Sequence, residues 1–207
     1  LFRSSFLNDR EMRMDEATTE RVLQDSMFEL DNLSAYLGKL KDMVCADERE
    51  TLLRPSAFNL RELVEKVVRL TNIPAGKKVS FSTAFPPDMP DLTADPVHVA
   101  NVLSNLIENA IKYSGEEVDI DIVVLWNQQG VGLTVSDNGF GIAPDERRKV
   151  FENFYRSSHL PDKQIPGIGL GLSYVRQIVE AHHGSVSLRS ELGEGTRITI
   201  NLPTAAL

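Results

Sequence analysis

The chain has 207 residues, a formal net charge of −8, 42% hydrophobic and 25% charged residues, an ordinary soluble composition with room for one good core and a small second element. The acidic balance argues against nucleic acid as the main partner, because a phosphate backbone calls for a basic face. The single cysteine, Cys45, excludes an intrachain disulfide and a cysteine-based metal site, and fits a reducing compartment.

No apolar run reaches membrane-spanning length, the longest strong one lying near residues 122–126, and no signal-peptide pattern opens the chain. The start at Leu1-Phe2-Arg3 reads as a piece of a longer protein. Residues 1–48 read as helical. Leu23, Leu30, Leu37 and Val44 recur every seven residues, Leu33 and Leu40 take the other core position, and Met27, Tyr36 and Met43 widen the stripe. This is the seam of a bundle or coiled coil. The charged stretch 8–16 has no stripe and reads as a turn between two helices. A long amphipathic helix needs a partner to bury its stripe, so this segment predicts a homodimer.

Pro55 marks a boundary, dividing a helical segment, 1–52, from a mixed domain, 53–207. Asn59 is placed to cap a helix to about residue 71, with Leu60, Leu63, Val64, Val67 and Val68 on its inner face. Val79, Phe81 and Thr83 alternate as a strand. Asp95-Pro96, a cap followed by a first-turn proline, opens a helix to about residue 113. Strands follow over 118–127 and 131–137, with Gln128-Gln129-Gly130 as a short hairpin turn. Residues 139–168 hold much Gly and Pro, a short helix near 144–151 and a poorly patterned stretch. A helix over about 170–183 precedes strands over 185–190 and 196–202, which flank Gly193-Glu194-Gly195. This order predicts an α+β fold, a helix-layered mixed sheet and not a doubly wound parallel one.

Four short motifs carry the chemistry. The first is Asn105-Leu106-Ile107-Glu108-Asn109-Ala110-Ile111-Lys112-Tyr113. Asn105 and Asn109 share a helix face, and two carboxamides on an otherwise apolar face need partners. Either they bond within the core, or a magnesium ion held by phosphates supplies one. The second, Asp137-Asn138-Gly139-Phe140-Gly141-Ile142, ends an apolar strand in a carboxylate able to accept from an exocyclic amine such as adenine's, with glycines that let backbone approach a flat ring. Alone, Asp-Asn-Gly is more often an ordinary turn. The third, Gly167-Ile168-Gly169-Leu170-Gly171-Leu172-Ser173, opens a helix whose free N–H groups and dipole favour phosphate. Glu191 lies twenty residues on, but Pro161 and Pro166 precede the glycines where a dinucleotide fingerprint has a buried strand. No Gly-x-x-x-x-Gly-Lys-Ser/Thr sequence is present. The fourth, Gly193-Glu194-Gly195-Thr196, is by itself a turn.

Together, in this order and spacing, the four resemble the N, G1, G2 and G3 boxes of sensor histidine kinases, and Phe151-Glu152-Asn153-Phe154-Tyr155-Arg156 resembles the F box. The resemblance covers nearly the whole chain, with residues 1–48 similar to the dimerisation helices and Asn59-Leu60 at the place of the linker into the catalytic domain. It implies a two-layer α/β sandwich with a mixed sheet, preceded by a helical hairpin segment, and it implies ATP and Mg²⁺ as cofactors. Asn109 is then the Mg²⁺ ligand, Asn105 supports that ion or a phosphate, and Lys112 offsets phosphate charge. Tyr113 packs on adenine and Asp137 holds its amine, with Gly139, Gly141, Ile142 and Thr196 shaping the pocket. Residues 153–167 form a lid bearing Phe154 and Arg156, the latter either a phosphate contact or a solvated arginine. Gly167, Gly169, Leu170, Gly171 and Leu172 meet the phosphates. Related ATPases that hydrolyse ATP with water carry a glutamate general base where Asn105 stands; an amide cannot play that part, so the resemblance implies phosphoryl transfer to a histidine, with Asn105, Asn109 and Lys112 as the catalytic set.

The acceptor motif of the family, His-Glu/Asp-Leu/Ile-Arg/Lys-Thr-Pro, is absent around His98, His159, His182 and His183. The acceptor is expected upstream of Leu1, the alternative being a chain that evolved without one. His98 reads as a surface residue, and His182-His183-Gly184 as a helix end where histidine complements terminal carbonyls. The resemblance further implies a response-regulator receiver domain as partner and a cytoplasmic location, in an intact protein anchored in a bacterial inner membrane. The rival readings are another ATPase of the same superfamily and a degenerate kinase serving as a dimerisation scaffold.

Overall fold

The computed structural model describes residues 53–159, 165 and 167–203. The helical segment expected over 1–48, with its heptad seam, lies outside the described residues. In chain order the elements are β1 (Ser56–Phe58), α1 (Leu60–Leu70), β2 (Lys78–Ala84), β3 (Leu92–Ala94), α2 (Pro96–Lys112), β4 (Glu117–Asn127), β5 (Gly130–Asp137), a 3₁₀ turn (Lys149–Phe151), α3 (Gly171–Ala181), β6 (Ser185–Glu191) and β7 (Gly195–Pro203). The main sheet runs β2-β4-β5-β7-β6, with β2 parallel to β4 and every other neighbour antiparallel. β1 and β3 form a small antiparallel pair.

Alternation along the strands decides which face is covered. Val118, Ile120, Ile122 and Val124 of β4 are buried, while Asp119, Asp121 and Leu125 face outward. Register aligns Ile122, Val135 and Ile198 in one row and Val124, Leu133 and Ile200 in the next. Leu60 and Val64 of α1, Leu103, Leu106 and Ile107 of α2, and Val175 and Ile178 of α3 complete the same apolar cluster. Each fully buried side chain of this size contributes roughly 2 kcal/mol. The result is the expected two-layer mixed α/β sandwich.

The helix starts follow their caps. The Asn59 side chain accepts from the Glu62 N–H at 3.1 Å. Asp95 Oδ1 accepts from the N–H groups of Val97 and His98 at 3.0 and 3.2 Å, and its Oδ2 from that of Arg54 at 2.8 Å. Pro96, at the first helical position, has no N–H to satisfy. Burial alone would raise the Asp95 pKa, but these backbone donors and nearby His98 outweigh it and hold the carboxylate below its usual value.

Some expectations are corrected. Gly130 pairs with Asn127 and belongs to β5, so the hairpin loop has two residues, Gln128 and Gln129. Asn127 Oδ1 closes it by accepting from the N–H groups of Gln129 and Gly130. The helix predicted near 144–151 shrinks to turns and the 3₁₀ turn. His98 is half-buried, with Nδ1 2.9 Å from the Tyr174 hydroxyl across the α2–α3 seam. Among the described residues no helix is long and apolar enough to cross a membrane.

His182 does more than end α3. It is 2% exposed, its Nδ1–H donates to the Ile178 carbonyl at 2.8 Å, and its Nε2 accepts from the Asp95 N–H at 3.0 Å. A neutral ring in one tautomer thus ties the end of α3 to the start of α2. His183 follows at φ 57, and the bonds His183 N–H to Glu180 carbonyl and Gly184 N–H to Val179 carbonyl complete a Schellman cap. Burial lowers the His182 pKa, since the imidazolium would lose water and the Nε2 acceptor together. A histidine whose folded pKa is depressed stabilises the fold above its unfolded pKa, and that stability falls as pH drops below about 6.5. His182→Ala is expected to cost about 2 kcal/mol by orphaning the buried Asp95 N–H, while the Ile178 carbonyl keeps the backbone N–H of residue 182, and to flatten this acid-side slope, as urea denaturation at pH 5 and pH 7.5 would measure.

Candidate functional site

The first and third motifs meet where the C-terminal half of α2 faces the start of α3. Asn105 is 5% exposed, and its amide NH₂ donates to the Asn101 carbonyl at 2.7 Å, which turns Oδ1 away from its own helix. Asn109 lies one turn on. A Cβ built on Gly171 would stand 3.2 Å from Asn105 Oδ1 and 3.4 Å from Asn109 Nδ2. A side chain at this position would crowd both amides and make them give by a few tenths of an ångström, and glycine avoids that. That turn has no side-chain cap, so its N–H groups and the positive end of the helix dipole face the same place. Leu170, buried, and Leu172, packed against the core, hold the turn down. Lys112 reaches Gly167, where a Cβ would collide with its Nζ, and its ammonium lies 5.0 Å from the centre of the Tyr113 ring.

The second and fourth motifs are woven together at the end of the sheet. Asp137 follows Val131, Leu133 and Val135 on the same face of β5, in the row of Ile120 and Thr196. Its Oδ1 accepts from the Gly139 N–H at 2.8 Å and the Thr196 N–H at 3.2 Å. Burial raises its pKa, the two N–H bonds oppose that, and the balance is about 6. Gly139 packs on the Tyr113 carbonyl, which accepts the Phe140 N–H at 2.9 Å. Gly141 has φ 71, and a Cβ there would run into the Glu191 carbonyl. The Gly193 N–H donates to the Phe140 carbonyl at 2.8 Å. Ile142 is held through its N–H, donated to Ser190 Oγ at 2.8 Å.

Ser190 and Glu146 belong to the site region, yet no motif announces them. Ser190, 7% exposed, also donates to the Gly195 carbonyl at 2.7 Å and lies 3.0 Å from Thr196 Oγ1, so one hydroxyl joins both halves of the weave. Glu146 is 1% exposed. It accepts from the Tyr155 hydroxyl at 3.0 Å, the Ser158 N–H at 2.9 Å, the Ser158 hydroxyl at 3.0 Å and the Ser157 hydroxyl, and His159 Nδ1 lies 3.2 Å away. Burial would raise its pKa, but these donors prevail and hold it at about 2. The density of donors over 155–159 is the one signal of this clamp in the sequence.

Of the segment 153–167 expected to form a lid, residues 153–159, 165 and 167 are described. Phe154 is exposed and has φ 64, unusual for a bulky residue. Its N–H donates to the Gly169 carbonyl at 3.0 Å, and Gly169 packs on the Tyr155 carbonyl. Arg156 donates from its guanidinium to the Ile165 carbonyl at 2.5 Å, which braces its own loop. Among the described residues no cluster of three or more His, Cys, Asp or Glu side chains could hold a metal.

Residues 94–206 match the family model described as histidine kinase-, DNA gyrase B-, and HSP90-like ATPase. The sensor protein RprX of Bacteroides fragilis is 34% identical over 204 residues, 97% of this chain and 36% of that protein. The adaptive-response sensory kinase SasA of a Synechococcus strain is 31% identical, over 96% of this chain and 52% of that protein. The chain therefore spans between a third and just over half the length of these relatives. The catalytic domain of histidine kinase ThkA, in a nucleotide-free form, superimposes with a TM-score of 0.63 at 27% identity, covering 73% of this chain and 98% of that one. With its four motifs brought together at one end of a helix-covered mixed sheet, the chain belongs to the histidine kinase-, DNA gyrase B- and HSP90-like ATPase family.

Proposed function

We propose that this domain binds Mg-ATP and transfers the γ-phosphoryl group to a histidine, for relay to an aspartate of a response-regulator receiver domain. The observation that carries this reading is the convergence of the Asn105 and Asn109 amides on the uncapped first turn of α3 at Gly171. That place combines oxygen donors with a helix N-terminus and adjoins Lys112, a combination suited to phosphates and a hard cation. Asn109, backed by Asn105, would hold Mg²⁺, whose preference for a few protein oxygens plus phosphate and water fits an amide set without carboxylates. When bound, that ion would neutralise charge developing on the phosphates.

The chain's own groups divide the remaining work. The α3 N–H groups at Gly171 and Leu172, behind Gly167, Gly169 and Leu170, would orient the phosphates, and Lys112 would offset their charge. Asp137 would accept from the adenine amine, with Tyr113, Gly139, Gly141, Ile142 and Thr196 forming the ring pocket. Phe154 and Arg156 would act from the lid. In the transfer the bond from the γ-phosphorus to the bridging oxygen breaks, a phosphorus–nitrogen bond forms, and ADP departs. His182 is unsuited as acceptor because both ring nitrogens are already bonded. Asn105 supplies no general base for water, which favours the kinase over a free-standing hydrolase. A homodimer through the segment 1–48, and anchoring of the intact protein at a bacterial inner membrane, complete the proposal.

Calorimetric titration with ATP, with and without Mg²⁺, tests the reading: binding should strengthen with Mg²⁺ while ADP release stays negligible. Steady hydrolysis would point to an ATPase, and no binding to a scaffold. Incubation of the full-length protein with γ-labelled ATP should give an acid-labile, base-stable label. Asn109→Ala should abolish the Mg²⁺-dependent part of the affinity and leave the circular dichroism spectrum unchanged. Because burial raises the Asp137 pKa to about 6 and the ionised carboxylate would be the stronger acceptor, ATP affinity should fall between pH 7 and pH 5, by at most about tenfold. A carboxylate with a raised folded pKa also weakens the fold at neutral pH, so Asp137→Asn should raise the melting temperature while it weakens ATP binding.

A further inference from the structure

Lys77 belongs to none of the motifs, yet it grips the end of the helix that carries the first of them. Its Nζ donates to the carbonyls of Ile111 at 2.6 Å and Ser114 at 2.8 Å and lies 3.1 Å from Ser114 Oγ, which accounts for all three ammonium protons. Ser114 is 5% exposed, and its hydroxyl donates in turn to the Ile111 carbonyl at 2.8 Å. The last carbonyls of an α-helix have no intrahelical donor, and a cation there also complements the dipole. Lys77 is itself fixed from the sheet side. Its N–H donates to the Pro74 carbonyl at 3.1 Å, and the next N–H, that of Lys78, donates to the Glu116 carbonyl at 2.7 Å where β2 begins its parallel pairing with β4.

The opposite side of the same turn is held by the second motif. The Tyr113 carbonyl accepts the Phe140 N–H at 2.9 Å, and Gly139 packs directly on it. Residues 111–114 are thus clamped between a lysine ahead of β2 and the backbone of 139–140. Lys112 and Tyr113 lie inside that clamp. We infer that Lys77 is a positioning residue for nucleotide binding: by fixing the final turn of α2 it sets where Lys112 and Tyr113 present their side chains. This rests on the nucleotide-site reading above. Truncation of Lys77 leaves the Ile111 and Ser114 carbonyls without their charged donor and lets the turn fray, so the bound geometry must be re-formed at the expense of affinity.

The test compares wild type with Lys77→Met by calorimetry with ADP and with Mg-ATP, at a temperature where both proteins are fully folded, alongside amide exchange at residues 113–115. The expected result is about tenfold weaker binding of both nucleotides, as for loss of a hydrogen-bonded charged donor, with faster exchange confined to that turn. Lys77→Arg should recover part of the affinity. Lys78→Met, which removes an exposed pair with Glu117, should leave it unchanged. A merely structural lysine would lower the melting temperature and leave the dissociation constant of the folded protein at the wild-type value; that result overturns the inference. If Lys77→Met does not fold, Ser114→Ala, which removes one of the three acceptors, should give a smaller loss of affinity in the same direction, and wild-type affinity in that variant overturns the inference equally. A wild-type protein that binds neither nucleotide defeats the functional reading, and the inference falls with it.

Discussion

Asp137 occupies the buried face of β5 at the position where the alternation of Val131, Leu133 and Val135 calls for another apolar side chain. The half-buried carboxylate there is offset by two backbone N–H groups, from Gly139 and Thr196, aimed at one of its oxygens. Those two donors come from segments far apart in the chain, and bringing them to one atom dictates the path of both. The chain must turn back at once after Asp137, which places Gly139 against Tyr113, and β7 must begin beside β5, which brings Gly195 against the Asp137 carbonyl. Backbone this crowded admits no side chain at Gly139, Gly141 or Gly195, whereas Gly193 faces open space and serves the turn through its φ of 82. The raised pKa is the residual tension of the arrangement.

α2 is the second organising element, because it serves the core and the site with different faces. Val99, Leu103, Leu106 and Ile107 bury toward the sheet, while Asn105 and Asn109 turn toward α3 with the period of the same helix. Its two ends are each tied to another element. At the start, Asp95 receives N–H groups from its own first turn and His182 joins it to the end of α3. At the finish, Lys77 and the 139–140 backbone hold the final turn. A helix fixed at both ends presents its side chains with little play, which a site built from two amides and a lysine requires.

Much of this was legible in the chain. The alternation of β4, β5 and β7 is a local pattern, and the caps at Asn59 and Asp95 are read from two or three adjacent residues. β1 and β3 escaped because three residues are too few to show a period. The segment near 144–151 carries Pro144-Asp145 like a helix start, but only the Val150 N–H to Glu146 carbonyl bond has helical spacing, and the Glu146 side chain is committed to residues 155–158. The glycine and asparagine motifs stand out by composition and order, so the candidate site was visible before any coordinates. Ser190, Glu146, His182 and Lys77 were not, since their partners are 48, 12, 87 and 37 residues away and no spacing announces such a meeting. His98 illustrates the same limit: its helix position suits a surface, and the contact with Tyr174 arises only when α3 arrives.

The strand order β2-β4-β5-β7-β6 also bears on how the molecule comes to exist. β4–β5 and β6–β7 are hairpins of neighbouring strands, whereas the β5–β7 ladder that joins them closes a loop in which Asp137 and Thr196 are 59 residues apart. Loop-closure entropy therefore weighs most on the one pairing that unites the second and fourth motifs around Asp137. Before that seam forms, each hairpin has its own turn but neither has a pocket. A ligand that spans the seam has nothing to bind in the unjoined chain, so its binding energy is available in full to the joined one.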